Sequence, residues 1–183
     1  MQESAARKQE YVEKARAELA TLAAEGLRSS GNAFSSVLFL KGDLSEDEKG
    51  GQPLLSGEDG KALRASLVAL GYAPEDWVCV AAAGNDGEPI DPALLRRAIM
   101  TLDPATVIAC DDAATADLRE AFSDELSDLE SFEQAMMLPG ELATIMGMRM
   151  MNLGGFAAAL ADKEQKQLMW SRLKRLPHLG APY

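Results

Sequence analysis

The sequence predicts an α/β protein with three αβα layers around a central, mostly parallel four-stranded sheet. Three observations carry that reading. Short apolar runs recur along the chain, at Val37-Leu38-Phe39-Leu40, Trp77 to Ala81, Thr106 to Cys110 and Met150-Met151-Asn152-Leu153. Runs without polar alternation are the pattern of strands buried on both faces of a parallel sheet. Each run is followed by a glycine-containing or acidic turn and then by apolar residues at helical spacing, so strand and helix alternate. Finally, 183 residues at 47% hydrophobic and 26% charged fit one domain with a substantial core, read as residues 1–183 with its core over 35–176.

An amphipathic helix opens the chain over about Ser4 to Glu25. Val12, Ala15, Leu19, Leu22 and Ala23 recur near the 3.6-residue period, and Gly26 is placed as a C-terminal cap. Its charges are of both signs, which favours packing on the domain over lying on a membrane. Ser29 to Ser35 reads as a polar loop. Gly42 ends the first strand, and the loop from Asp43 to Asp59 holds six carboxylates against Lys49 alone. A helix over Lys61 to Leu70 presents Leu63, Leu67 and Leu70 on one stripe and stops at Gly71.

After the second strand comes the turn Gly84-Asn85-Asp86-Gly87, and Asp91-Pro92 supplies the N-cap and first residue of a helix running to Leu102. Asp111 or Asp112 caps the helix after the third strand. From Asp111 to Glu133 nine carboxylates face one base, Arg119, the mark of a solvated helix face. Met146, Met148, Met150 and Met151 read as core filler. Past the fourth strand and Gly154-Gly155, a final helix over Phe156 to Leu173 packs through Leu160, Leu168, Trp170 and Leu173. Arg172, Lys174 and Arg175 complement its dipole, and His178 falls in an exposed short C-terminal tail.

Charge and cysteine content narrow the function. With 18 basic and 29 acidic residues the formal charge is −11, which opposes DNA binding through phosphate neutralisation. Cys79 and Cys110 fall inside apolar runs without a Cys-x-x-Cys spacing, so they read as buried thiols, and no metal or other cofactor is expected. No apolar stretch reaches the roughly 18 residues of a membrane span, and a cytoplasmic location is the default expectation. A nucleotide-binding protein of the doubly wound type would need Gly-x-Gly-x-x-G or a phosphate-loop lysine, and neither is present.

The order of segments resembles the uracil-DNA glycosylase superfamily, most closely its thermostable iron-sulfur branch. The matching residues are Gly42-Asp43-Leu44-Ser45, then Glu46-Asp47-Glu48, then Gly51-Gln52-Pro53-Leu54-Leu55-Ser56-Gly57, with Leu153-Gly154-Gly155-Phe156 near the end. The resemblance implies a glycosylase-like fold and places a pocket at Gly42, Asp43, Leu54, Leu55, Ala81, Asn85, Asn152, Leu153 and Phe156. It also implies four losses. Where the family positions the attacking water there is only Asp43; where an aromatic ring stacks on the flipped base there are Leu54 and Leu55. Ala81 replaces the asparagine that reads uracil, and Leu153 replaces the histidine that stabilises the departing anion. The cluster cysteines are absent.

These losses remove base stacking, edge recognition and anion stabilisation, the last worth about 2.7–4 kcal/mol for a single donor. The expectation is therefore a divergent member that does not excise uracil and acts as a binding or interaction module for a protein or small-molecule partner. Its candidate site is the crevice between the first and last strands. The alternatives are an enzyme of altered chemistry using Asp43 as base, with Asn85 or Asn152, on a small nucleoside-like substrate, or a weak DNA glycosylase. A crevice filled by Leu54, Leu55, Leu153 and Phe156 would count against both.

Overall fold

The computed structural model describes residues 2–33 and 35–177. His178 and the tail expected after the last helix fall outside them. Four parallel strands form the centre: β2 (Val37–Lys41), β3 (Val78–Ala81), β4 (Thr106–Ala109) and β6 (Met148–Asn152). Two short antiparallel strands flank them, β1 (Ser29–Gly31) on β3 and β5 (Leu142–Ile145) on β6. The sheet thus has six strands in the order β1-β3-β2-β4-β6-β5, not four.

Alternate residues of each parallel strand feed two separate cores. Leu38, Leu40, Val78, Val80 and Val107 face one side, while Val37, Phe39, Cys79, Ile108 and Met151 face the other. Helices α1 (Gln2–Ala24), α4 (Pro92–Leu102) and α5 (Asp112–Ala121) cover the first face. Helices α3 (Glu58–Ala69), α8 (Phe156–Ala159) and α9 (Lys163–Leu173) cover the second. Two-sided burial is why these strands lack polar alternation. Among the described residues no helix is long and apolar enough to cross a membrane.

Four sequence expectations need correction. Ser29 to Ser35 is not all loop, because its first three residues pair with Val78 to Val80 as an edge strand. The loop from 43 to 59 contains α2 (Glu46–Lys49), started by a capping box in which Ser45 and Glu48 cap each other reciprocally. The acidic stretch is no single solvated face. It folds as α5, α6 (Ser123–Ser127) and α7 (Phe132–Ala135), and Asp117 is buried. The last helix is two, α8 and α9, separated by the Asp162 N-cap of α9, and Leu168 is exposed rather than packed.

The methionine segment is a hairpin. Met146 and Gly147 both have positive φ, 51° and 82°, the conformation that a two-residue hairpin turn demands. Met148, Met150 and Met151 are buried as expected, and Met146 at the turn is 55% exposed. A methionine stands where asparagine or glycine ordinarily signals such a turn, which is why the sequence hides it.

Backbone contact makes Gly60 the tightest point of the second face. A Cβ there would lie 1.8 Å from the carbonyl oxygen of Leu55, which itself has φ 61°. Gly60→Ala therefore shifts the Leu55 turn, and urea unfolding should show a loss of about 2 kcal/mol. Asp117 generates the opposite expectation. Burial, then the nearby charges of Glu120 and Asp111, push its carboxyl up to about 6, so the folded state favours the protonated form. Its contribution is lost as pH rises from the ordinary carboxylate range through 6. Asp117→Asn should accordingly stabilise the protein by about 1 kcal/mol at pH 7.5, a gain that shrinks as pH falls from 6 towards 4.

Candidate functional site

The chain leaves β2 through α3 on the second face and returns from β3 through α4 on the first, so β4 joins β2 on the side opposite β3. The loops after β2 and β4 thereby diverge, and a crevice opens outside their carboxyl ends, where open α/β sheets bind ligands. It lies between β2 and β4 rather than between the first and last central strands. Lys41, Asp43, Asp59, Cys110 and Asp111 line it, and Gly155 to Ala158 close one side.

The crevice is almost full. Its volume is about 60 Å³, room for roughly two waters at about 30 Å³ each. Ligand pockets run to about 300–1,000 Å³. Leu54, Leu55, Leu153 and Phe156 are each at most 4% exposed and belong, with Ala81, to one apolar cluster. These residues are apolar and buried within the core of the second face.

The principal group at this site, which the sequence reading did not single out, is Lys41. It closes β2 at 4% exposure, with Lys41 paired to Ala81 of β3 in register. Its ammonium donates to Glu48 Oε1 and, at 2.6 Å, to Asp59 Oδ2. Burial works against the charge, but the hydrogen bonds and charges of Asp59 and Glu48 outweigh it and hold Lys41 above the usual lysine range. Glu48, 1% exposed, also accepts the Ser45 and Leu55 backbone N–H groups at 2.9 Å each. Against the cost of burial, the bonds from Lys41, Ser45 and Leu55 keep its carboxyl below the usual range.

One carboxylate therefore fixes the start of α2, the Leu55 turn and the end of β2 together. Arg28 adds bonds to the carbonyls of Glu48 and Gln52 and to Asn85 Oδ1 at 3.1 Å. From the other wall, Asp111 caps α5 and accepts the backbone N–H of Asp43 at 2.9 Å and of Gly42 at 3.1 Å. A lysine directly after four apolar strand residues, followed by Ser45-x-x-Glu48, was the legible signal for this cluster.

The remaining candidates do not converge on a reacting centre. Asp43 is exposed at the crevice rim. Asn85 is exposed and bonded to Arg28. Asn152 is buried with its amide donating to the Met137 carbonyl and its oxygen accepting from Gly154 N–H, both at 2.9 Å, so neither end is available. Burial raises both Cys79 and Cys110, which leaves them inert thiols. Among the described residues no group of His, Cys, Asp and Glu is placed to hold a metal ion. No protein-family model matches the chain, and no curated protein is significantly similar to it.

The cluster predicts an asymmetric mutational response. Lys41→Met strands the buried Glu48 and the half-buried Asp59 and should cost about 3–5 kcal/mol in urea unfolding at pH 7, whereas Lys41→Met with Glu48→Gln and Asp59→Asn should recover most of that loss. Because Glu48 titrates below its ordinary value in the folded state, its contribution is present at neutral pH and lost in acid. The gap between wild type and Lys41→Met should narrow as pH falls below 4.5.

Proposed function

We propose that this chain is a divergent glycosylase-like scaffold that does not excise uracil and works as a binding or interaction module. The observation that carries the reading is the filled crevice. A site of about 60 Å³ with Phe156 on its wall has no room for an extruded base, and its ammonium, Lys41, is already taken up by Glu48 and Asp59; Leu54, Leu55 and Leu153 are buried in the apolar core of the same face. The apolar, buried character of Leu54, Leu55, Ala81 and Leu153 supports lost chemistry.

Electrostatics support the same conclusion. The exposed charges of the loop over the crevice are Asp43, Glu46, Asp47 and Glu58 against Lys49, and they repel a phosphate backbone. The basic groups that could answer them are engaged: Lys41 within its ion cluster, Arg28 on backbone carbonyls. An enzyme using Asp43 as base lacks a converging partner, since Asn85 and Asn152 are committed elsewhere.

Incubation with uracil-containing single-stranded DNA, followed by alkaline cleavage and gel analysis, should give no product above the no-enzyme control. Catalytic release of uracil, abolished by Asp43→Asn, would overturn the proposal.

A further inference from the structure

The second face carries a cavity that the crevice does not include. It lies between α3, α8 and α9 and has a volume of about 230 Å³. Ala62, Phe156, Leu160 and Trp170 provide its apolar walls, with the buried Leu173 beneath, and Ser66 and Lys166 bring the polar groups. Phe156 is the partition between this cavity and the crevice, since it lines both.

The polar groups have a definite polarity. The Lys166 ammonium makes no hydrogen bond or ion pair among the described residues, whereas Lys41 and Lys49 are engaged with acids and Lys174 lies over the ring of Trp170 itself, 5.9 Å from its centroid. Ser66 donates its hydroxyl to the Ala62 carbonyl at 2.8 Å, which leaves its oxygen as an acceptor. Lys166 and Trp170 are four residues apart on α9, share a face and both line the cavity. The neighbouring Lys163 lies one turn earlier on the same side of the helix, and neither lysine is offset by a bonded carboxylate.

An apolar slot with an unpaired ammonium, that of Lys166, in its lining selects a ligand with one anionic end and a short apolar body. We propose that this cavity binds a short-chain monocarboxylate, its carboxylate on Lys166 and its alkyl or aryl body between Phe156, Leu160 and Trp170. The size limits the ligand, because 230 Å³ lies below the roughly 300–1,000 Å³ of drug-sized ligand pockets and takes a short chain but not a nucleotide. The charge argues for it too: on a chain of formal charge −11, an anion gains nothing from the average surface and is held only where a lysine is locally unopposed. The inference does not depend on the glycosylase-like reading, as none of the groups that define it belongs to the lost chemistry.

Trp170 reports on its own pocket. Titration of the full chain with sodium octanoate, kept below micelle-forming concentrations, should give a saturable change in tryptophan emission that disappears in Trp170→Phe, where Trp77 remains. Octanol should bind about fivefold more weakly than octanoate, and Lys166→Gln should lose about the same factor while Lys166→Arg retains wild-type affinity. Lys166 is exposed, so these variants leave the core intact. Absence of a saturable signal, a signal that survives Trp170→Phe, octanol binding as tightly as octanoate, or a loss under twofold in Lys166→Gln would each overturn the proposal.

Discussion

A lysine buried at the end of the central strand organises this molecule. Lys41 sits where β2 runs out into the crevice, and a lone ammonium there would carry a desolvation cost of several kcal/mol. Glu48 and Asp59 offset it, and in doing so they dictate the path of the chain between them. Glu48 must lie in the first turn of α2 and Asp59 in the first turn of α3, where each also faces the positive end of a helix dipole. The Leu55 turn, held by Glu48 on its amide and by Arg64 on its carbonyl, then inserts two leucines under the loop. The same electrostatic arrangement that stabilises the loop closes the ligand crevice of the fold.

This arrangement explains why the place where an open α/β sheet ordinarily binds its ligand is closed here. Loops that bind ligands are drawn from the weakly held parts of a structure. The loop after β2 is the reverse, with carboxylate bonds at both ends, a guanidinium across its backbone and Asp111 gripping it from β4. Room remains elsewhere: a cavity of about 230 Å³ behind Phe156 on the second face, and broader grooves between α1 and α4 and beside α5 and α6.

Much of the fold was legible because it rests on two-sided burial. The four apolar runs could hardly be anything but central parallel strands, and the caps at Asp91 and the stripe of Leu63 and Leu67 behaved as their spacing implied. The edge strands were not legible. Ser29 to Gly31 has no strand-like side chain, being held by register with β3 and by the Ser30 hydroxyl on the Leu54 carbonyl, and the β5–β6 turn uses Met146 at positive φ. Counting charges also misled, because charge is not exposure: Asp117 was grouped with a solvated helix face and is buried, and Glu48 and Asp59, counted in the acidic loop, are largely covered. For the site, the matched positions Leu54, Leu55, Ala81 and Leu153 pointed at buried apolar core, and the sequence did not reveal Lys41, which lies one residue outside the matching motif and acts through partners seven and 18 residues away.

The central claim is that the loop over the crevice is locked, and native-state hydrogen exchange at the Leu55 amide tests it most directly. That N–H ends on a buried Glu48 oxygen rather than in a helix or strand, so only opening of the ion cluster exposes it. The account predicts protection close to that of the central strands, slowed by about 10³ or more relative to an unprotected amide and lost in Lys41→Met. Exchange at the rate of an exposed loop in the wild-type protein would contradict it, and would reopen the crevice as a binding site.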